Sequence, residues 1–320
     1  MLRMDLNTNL LGPNPVVMEA IKGFDEDVSH YPTMYADNLR EALAEYYGLE
    51  PENFLCGCGA DGMINLITSV HGGPGKTVAW PEPSFTLYRF YAAAYRSDTL
   101  TVPLDEKFRL DADMFLETAP TLIFISNPNN PTGNLFDEEG LRRLMDSDSL
   151  VVLDEAYAEF SGVSHIEDAA EGRIIAIRSF SKAFAMAGLR VGYCIGSPEA
   201  IGELRQHYAP FTLNTLSEHC AVAALRDPAW MRWAVKELVR QREELARKLE
   251  GMGFTVFPSS TNFLLVTPPC AAAALRDSLM EKGIAVRHYP EPEVLADKLR
   301  ITVGSEEHNA VLVEAIQSLL

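Results

Sequence analysis

Short runs of apolar residues, each about the length of one strand, recur through the middle of the chain with helical patterns between them. They are Thr77 to Trp80, Thr99 to Pro103, Thr121 to Ser126, Leu150 to Leu153, Ile174 to Ile177 and Arg190 to Ile195. Strands alternating with helices build a mostly parallel, doubly wound α/β sheet. A long helical region rich in Arg, Glu and Leu then runs from about Pro228 to Leu249, and Gly251 and Gly253 stop it. Beyond it the alternation resumes: strands Phe254 to Phe257 and Asn262 to Val266, a helix Ala271 to Lys282, strands Ile284 to Arg287 and Leu299 to Val303, and a final helix. That is a second, small C-terminal α/β unit. The expected division is an N-terminal arm packing with the small domain (1–29), a large domain (30–250) and the small domain (251–320).

The arm reads as extended chain. Residues 5–15 are turn-rich, Val16 to Phe24 suits a short helix, and Pro32 forces Tyr31 into an extended conformation. Asp37 is placed to cap a helix that ends at Gly48. The first five residues lack the apolar core of a signal segment, and no apolar run reaches membrane-spanning length. A soluble cytoplasmic protein is expected. The net charge of -18 argues against nucleic acid or an anionic membrane as partner, although a local positive field can still bind a phosphorylated small molecule. The five cysteines are scattered and odd in number, which reads as reduced thiols with no metal role.

One stretch concentrates the chemistry. The apolar run Ile174 to Ile177 leads into Arg178-Ser179-Phe180-Ser181-Lys182, and a small-residue turn then reaches Gly188-Leu189-Arg190. Two hydroxyls and a planar guanidinium are phosphate-holding groups. A lysine near other cations and partly desolvated has a lowered pKa and attacks carbonyls. A phosphate grip beside such a lysine is what pyridoxal phosphate needs; from this stretch alone an ordinary surface lysine after a strand reads as well.

Other stretches have the same double character. Cys56-Gly57-Cys58-Gly59-Ala60-Asp61-Gly62 opens a helix from Met63 to Val70, and its N-terminus favours an anion, or else Asp61 simply caps it. Ser84 to Ala94 suits a helix with four aromatics, most of them core or interface, with one near its start able to lie flat on a cofactor ring. Asn127-Pro128-Asn129-Asn130-Pro131-Thr132-Gly133 follows a strand at the end where open α/β sheets bind ligands. Asp154 ends an apolar strand, costly unless it meets a cation or donor. A protonated pyridine nitrogen would serve, with Tyr157 reaching the ring hydroxyl; capping a helix is the plainer role.

Taken together, Asn129-Asn130-Pro131-Thr132-Gly133, Asp154-Glu155-Ala156-Tyr157, Ser181-Lys182-Ala183-Phe184 through Arg190, and Leu299-Arg300-Ile301-Thr302-Val303-Gly304 resemble, in order, the motifs of fold-type I pyridoxal-phosphate enzymes of the class I/II aminotransferase superfamily. Within it the chain is most similar to histidinol-phosphate aminotransferases, over nearly its whole length. The resemblance implies that Lys182 is the Schiff-base lysine and the acid/base. It implies that Asp154 pairs with the pyridine N–H, and that Asn130 and Tyr157 hold the ring oxygen. Ala60, Asp61, Ser179, Ser181 and Arg190 would hold the cofactor phosphate, and Phe85 would stack on the ring. Tyr31 resembles a tyrosine that crosses from a partner subunit to the cofactor phosphate, which implies a homodimer with shared sites. Arg300 would bind the substrate anion with Arg287 beside it, unless Arg287 is merely solvated. Asn262 would be a substrate contact or lie just behind one.

The implied reaction is transamination between histidinol phosphate and 2-oxoglutarate. Threonine-phosphate decarboxylation and transamination of aromatic or varied amino acids are the alternatives. The family's Asn-Glu-Asn-Pro arm pattern is only half present in Asn7-Thr8-Asn9-Leu10-Leu11-Gly12, and leucines there would line the mouth of the substrate site.

Overall fold

The computed structural model describes all residues from 1 to 320 and contains twelve strands in two sheets. In chain order the strands are β1 (Leu2–Met4), β2 (Phe54–Cys58), β3 (Thr77–Glu82), β4 (Asp98–Pro103), β5 (Leu122–Ser126), β6 (Leu150–Asp154), β7 (Ile175–Ser179), β8 (Val191–Ile195), β9 (Thr255–Val256), β10 (Phe263–Thr267), β11 (Ile284–His288) and β12 (Leu299–Thr302). The large sheet has the order β2-β8-β7-β6-β5-β3-β4, and the small sheet β1-β11-β12-β10-β9.

The six apolar runs of the middle region become β3 to β8. Every residue of β5 and β7 is buried, as expected of central strands covered on both faces by helices. Pairing is parallel from β4 across to β7, whereas β8 runs antiparallel to both β7 and β2. The sheet is therefore mostly parallel, with one reversed strand. Parallel register carries β5, β6 and β7 to a common edge, where Ser126 lies opposite Asp154 and Ser179 follows two residues beyond the partner of Asp154.

Three local readings differ. Cys56, Gly57 and Cys58, read as small residues ahead of a helix, belong to β2; Gly57 and Cys58 carry weak strand signals, but antiparallel pairing with β8 holds them. The helix after it starts at Gly59 and runs to His71, so Asp61 lies in its first turn and makes no side-chain cap. The helix expected from Asp37 runs Asp37–Tyr47, but Ala36 is its cap, in a left-handed conformation, and the Thr33 hydroxyl accepts from the Asp37 N–H.

The N-terminal segment divides between the two sheets' surroundings. β1 pairs in parallel with β11 and buries Met4, while the helix Pro15–Lys22 packs on the helix Thr215–Arg226 beside the large sheet. The long helix Ala229–Gly251 touches both Ala158–Ser161 and the final helix Glu306–Gln317. No helix is long and apolar enough to cross a membrane.

Candidate active site

A cleft of about 380 Å³ opens at the C-terminal ends of β5, β6 and β7, between them and the small sheet. This is where open α/β sheets place ligands. The cleft gathers residues scattered from Asp5 to Arg300.

β6 delivers Asp154 to its floor. The carboxylate is 4% exposed and accepts hydrogen bonds from the Tyr88 hydroxyl (2.9 Å) and the Ala156 N–H (3.1 Å). Burial dominates those donors and pushes its pKa up to about 6. Lys182 follows β7 by three residues. Its Nζ donates to the Leu6 carbonyl at 3.4 Å and lies 5.6 Å from the centre of the Tyr157 ring. Burial, and next the Arg300 guanidinium, lower its pKa to about 8. The two shifts bring a carboxyl and an amine toward neutrality from opposite sides, a pattern typical of groups that exchange protons.

One corner is built for a phosphate. The helix Gly59–His71 starts there with no side-chain cap, so its first N–H groups are available. Ser179 and Ser181 are buried beside it, with the Ser181 N–H donating to Ser179 Oγ at 3.1 Å. Arg190, left-handed at φ 55°, points Nη2 at Asp61 Oδ2 at 2.6 Å. The Asp61 carboxylate is thus spent on the guanidinium, and its N–H is the group left for an anion. Backbones approach so closely that a Cβ on Gly192 would lie 2.3 Å from the Ala60 N, and a Cβ on Gly59 would meet the Arg190 side chain, 2.6 Å from Nη2. A helix N-terminus, two hydroxyls and a guanidinium fit a phosphate, and Asp154 at the far side fits a protonated ring nitrogen. Pyridoxal phosphate has both ends, with its carbonyl carbon requiring an amine such as Lys182.

The other expected residues separate into two groups. Phe85, Asn130, Tyr157, Arg287 and Arg300 all line the cleft. Arg300 donates Nη1 to Asn130 Oδ1 and Nη2 to the Asp5 carbonyl, both at 2.6 Å, and its buried Nε has no partner. Arg287 lies directly opposite it across β11 and β12. Tyr31 and Asn262 do not line the cleft. Tyr31 is 82% exposed and leans on Phe211 with ring centroids 4.9 Å apart. Asn262 is fully buried behind the cleft, the second of the two places expected for it, and its Nδ2 donates to the Asn7 carbonyl at 3.1 Å. Leu10 and Leu11 pack against the core, so the arm presents Asp5, Leu6, Asn7 and Thr8 to the cleft instead of leucines 10 and 11.

Three residues escaped the sequence reading. Tyr88 is the donor to Asp154; the helix that carries it runs Leu87–Ala94, not from Ser84, so Phe85 lies ahead of the helix and no shared helix face pointed from one aromatic to the other. Tyr289 lines the cleft, 5.2 Å from the Arg287 guanidinium and 5.8 Å from that of Arg300. Asn7 reaches the Tyr157 hydroxyl across 150 residues of chain, which no local pattern reports.

Comparison with known proteins gives a consistent result. A model of aminotransferase class I and II matches residues 1–316. Histidinol-phosphate aminotransferase 2 of Archaeoglobus fulgidus is 37% identical over 320 residues, covering 99% of this chain and 93% of that protein. Histidinol-phosphate aminotransferase of Roseiflexus castenholzii is 34% identical over 332 residues, 99% of this chain and 89% of its own. The crystal structure of histidinol-phosphate aminotransferase from Sinorhizobium meliloti, in complex with pyridoxal-5'-phosphate, superimposes with a TM-score of 0.90 at 27% identity and covers 100% of this chain and 91% of that one.

Proposed function

The chain belongs to the aminotransferase class I and II family, and from that premise we propose that it transfers the amino group of histidinol phosphate to 2-oxoglutarate, with pyridoxal phosphate as its cofactor. The observation that carries the substrate is the arginine pair. Like charges directly opposite each other on a sheet repel, yet Arg287 and Arg300 are register partners. Arg300 is 8% exposed, is bonded only to neutral oxygens, and has no partner for its Nε–H. A buried cation so arranged is stabilised by an anion, and a phosphate dianion answers two guanidiniums better than a single carboxylate does.

When bound, pyridoxal phosphate supplies an electron sink for the bond broken at the amine-bearing carbon. The chain does the rest. Lys182 Nζ, with its pKa lowered to about 8, takes the proton from that carbon and returns one on the other side of the transferred nitrogen. Asp154, held by Tyr88 and the Ala156 N–H, keeps a positive ring nitrogen protonated. Tyr157 and Asn130 would hold the ring oxygen, and Phe85 would cover the ring. Ser179, Ser181, Arg190 and the N–H groups of Ala60 and Asp61 would grip the cofactor phosphate. Arg287 and Arg300 orient the substrate phosphate, and the arm from Asp5 to Thr8 lines the cleft beside them.

A homodimer with shared sites, a cytoplasmic setting and the division at residues 29 and 250 belong to the same proposal. The exposure of Tyr31, a large aromatic at 82%, supports a partner surface there, and the two separate sheets support the boundary near 250. The test is one half-reaction. The cofactor-loaded protein is mixed with histidinol phosphate without keto acid, and separately with threonine phosphate and phenylalanine. Absorbance is expected to show conversion to the amine form of the cofactor with histidinol phosphate. Carbon dioxide release from threonine phosphate, or conversion with phenylalanine alone, would overturn the substrate assignment.

A further inference from the structure

Asn7 lies where the arm passes over the cleft. It is 1% exposed, and its backbone is left-handed, with φ 54°. Among residues with a side chain, asparagine and aspartate tolerate that conformation best. Every polar group of Asn7 is used. Its N–H donates to Thr302 Oγ1 at 2.9 Å, and the Thr302 hydroxyl donates back to Asn7 Oδ1 at 3.2 Å. Its Nδ2 donates to the Tyr157 hydroxyl at 3.0 Å, and its carbonyl accepts from Asn262 Nδ2 at 3.1 Å.

The side-chain amide is placed with Oδ1 on the Thr302 hydroxyl and the NH₂ group on Tyr157, so that each donor meets an acceptor. The phenol oxygen is therefore an acceptor on its inner side, and its own proton is free for an acceptor in the cleft. Thr302 belongs to β12 of the small sheet, whereas Tyr157 follows β6 of the large one. The same residue thus ties the arm, the small sheet and the Tyr157 hydroxyl together.

We propose that Asn7 is a positioning residue that orients the Tyr157 hydroxyl as a donor into the cleft and couples that orientation to the docking of the arm on the small sheet. The proposal rests on Tyr157 being a cofactor contact. Asn7→Asp tolerates the backbone and replaces the NH₂ donor with a carboxylate, which accepts the phenol proton and turns it away from the cleft. Asn7→Gly also tolerates the backbone and deletes the donor outright, so it serves if the aspartate variant fails to fold.

Each is combined with Tyr157→Phe. Pyridoxal phosphate affinity of the cofactor-free protein and the absorbance of the bound cofactor against pH are then measured. Loss of one hydrogen bond is expected to weaken affinity by about fivefold when the Tyr157 hydroxyl is present, and by less than about twofold when Tyr157→Phe has already removed it. The absorbance midpoint is expected to rise in the single variants, because an oxygen that loses its donor is more basic, and not to move further in the double variants. Equal weakening in both backgrounds would overturn the proposal and leave Asn7 as a clasp of the arm alone. No weakening in either variant would overturn it outright. If Tyr157→Phe alone changes neither affinity nor midpoint, the reading of Tyr157 itself has failed, which is a separate result and also ends the proposal.

Discussion

Replacing Tyr88 with Phe removes one oxygen from the site and little else. The ring is fully buried and stacked on Phe124 with centroids 4.9 Å apart and planes 4° from parallel, so phenylalanine fills the same space. Asp154 then keeps a single donor, the Ala156 N–H. A hydrogen bond to a charged group is worth about 1.5–3 kcal/mol, and one pKa unit is about 1.4 kcal/mol. The Asp154 pKa, already pushed up to about 6 by burial, should climb by about one to two units to between about 7 and 8. A carboxyl whose folded pKa exceeds the unfolded value of about 4 stabilises the fold most at low pH and loses that contribution as pH rises through the folded pKa. In the variant this loss continues to higher pH. Denaturant unfolding of the cofactor-free protein at pH 5 and pH 8 reads the difference. The variant's added destabilisation should be greater at pH 8 than at pH 5 by about 1–2 kcal/mol. The same destabilisation at both pH values would refute the claim that Tyr88 supports the charged form of Asp154.

Other outcomes follow from the same geometry. Arg300→Ala should raise the substrate KM and lower kcat/KM by about 2–5 kcal/mol, since a buried charge contact is lost; an unchanged KM would place the substrate anion elsewhere. Lys182 in the cofactor-free protein should be modified by an amine-reactive aldehyde, with borohydride trapping, at a rate that rises with pH through about 8; about a tenth of the amine is neutral at pH 7 on that value. A midpoint near 10.5, or trapping that persists in Lys182→Ala, would remove Lys182 from its role. Gly192→Ala should cost the phosphate corner its shape, because the added carbon would stand 2.3 Å from the Ala60 N; pyridoxal phosphate affinity equal to that of the unsubstituted protein would show that this corner does not hold the cofactor.

The central strands were legible because they are buried on both faces: such strands need unbroken apolar runs, and Leu150 to Leu153 or Ile174 to Ile177 admit few other readings. The chemical residues at their ends were legible for a related reason. A phosphate grip, a carboxylate at a strand end and a lysine on the next loop are short-range patterns, each carried within a few residues. β1 and β2 were not legible, since three residues in one case and a Gly-Cys ending in the other give no period to read, and only a neighbouring strand makes them strands. Pairings that decide how the site works were beyond sequence in the same way. Tyr88 meets Asp154 across 66 residues, Arg300 meets Asn130 across 170, and Asn7 meets Thr302 across 295. By itself the sequence determined which residue types are available and which strands carry them. Tertiary structure alone decided which donor faces which acceptor, because a hydrogen bond depends on distance and direction at the sub-ångström scale, and these are set by the register of two sheets and the path of the arm between them.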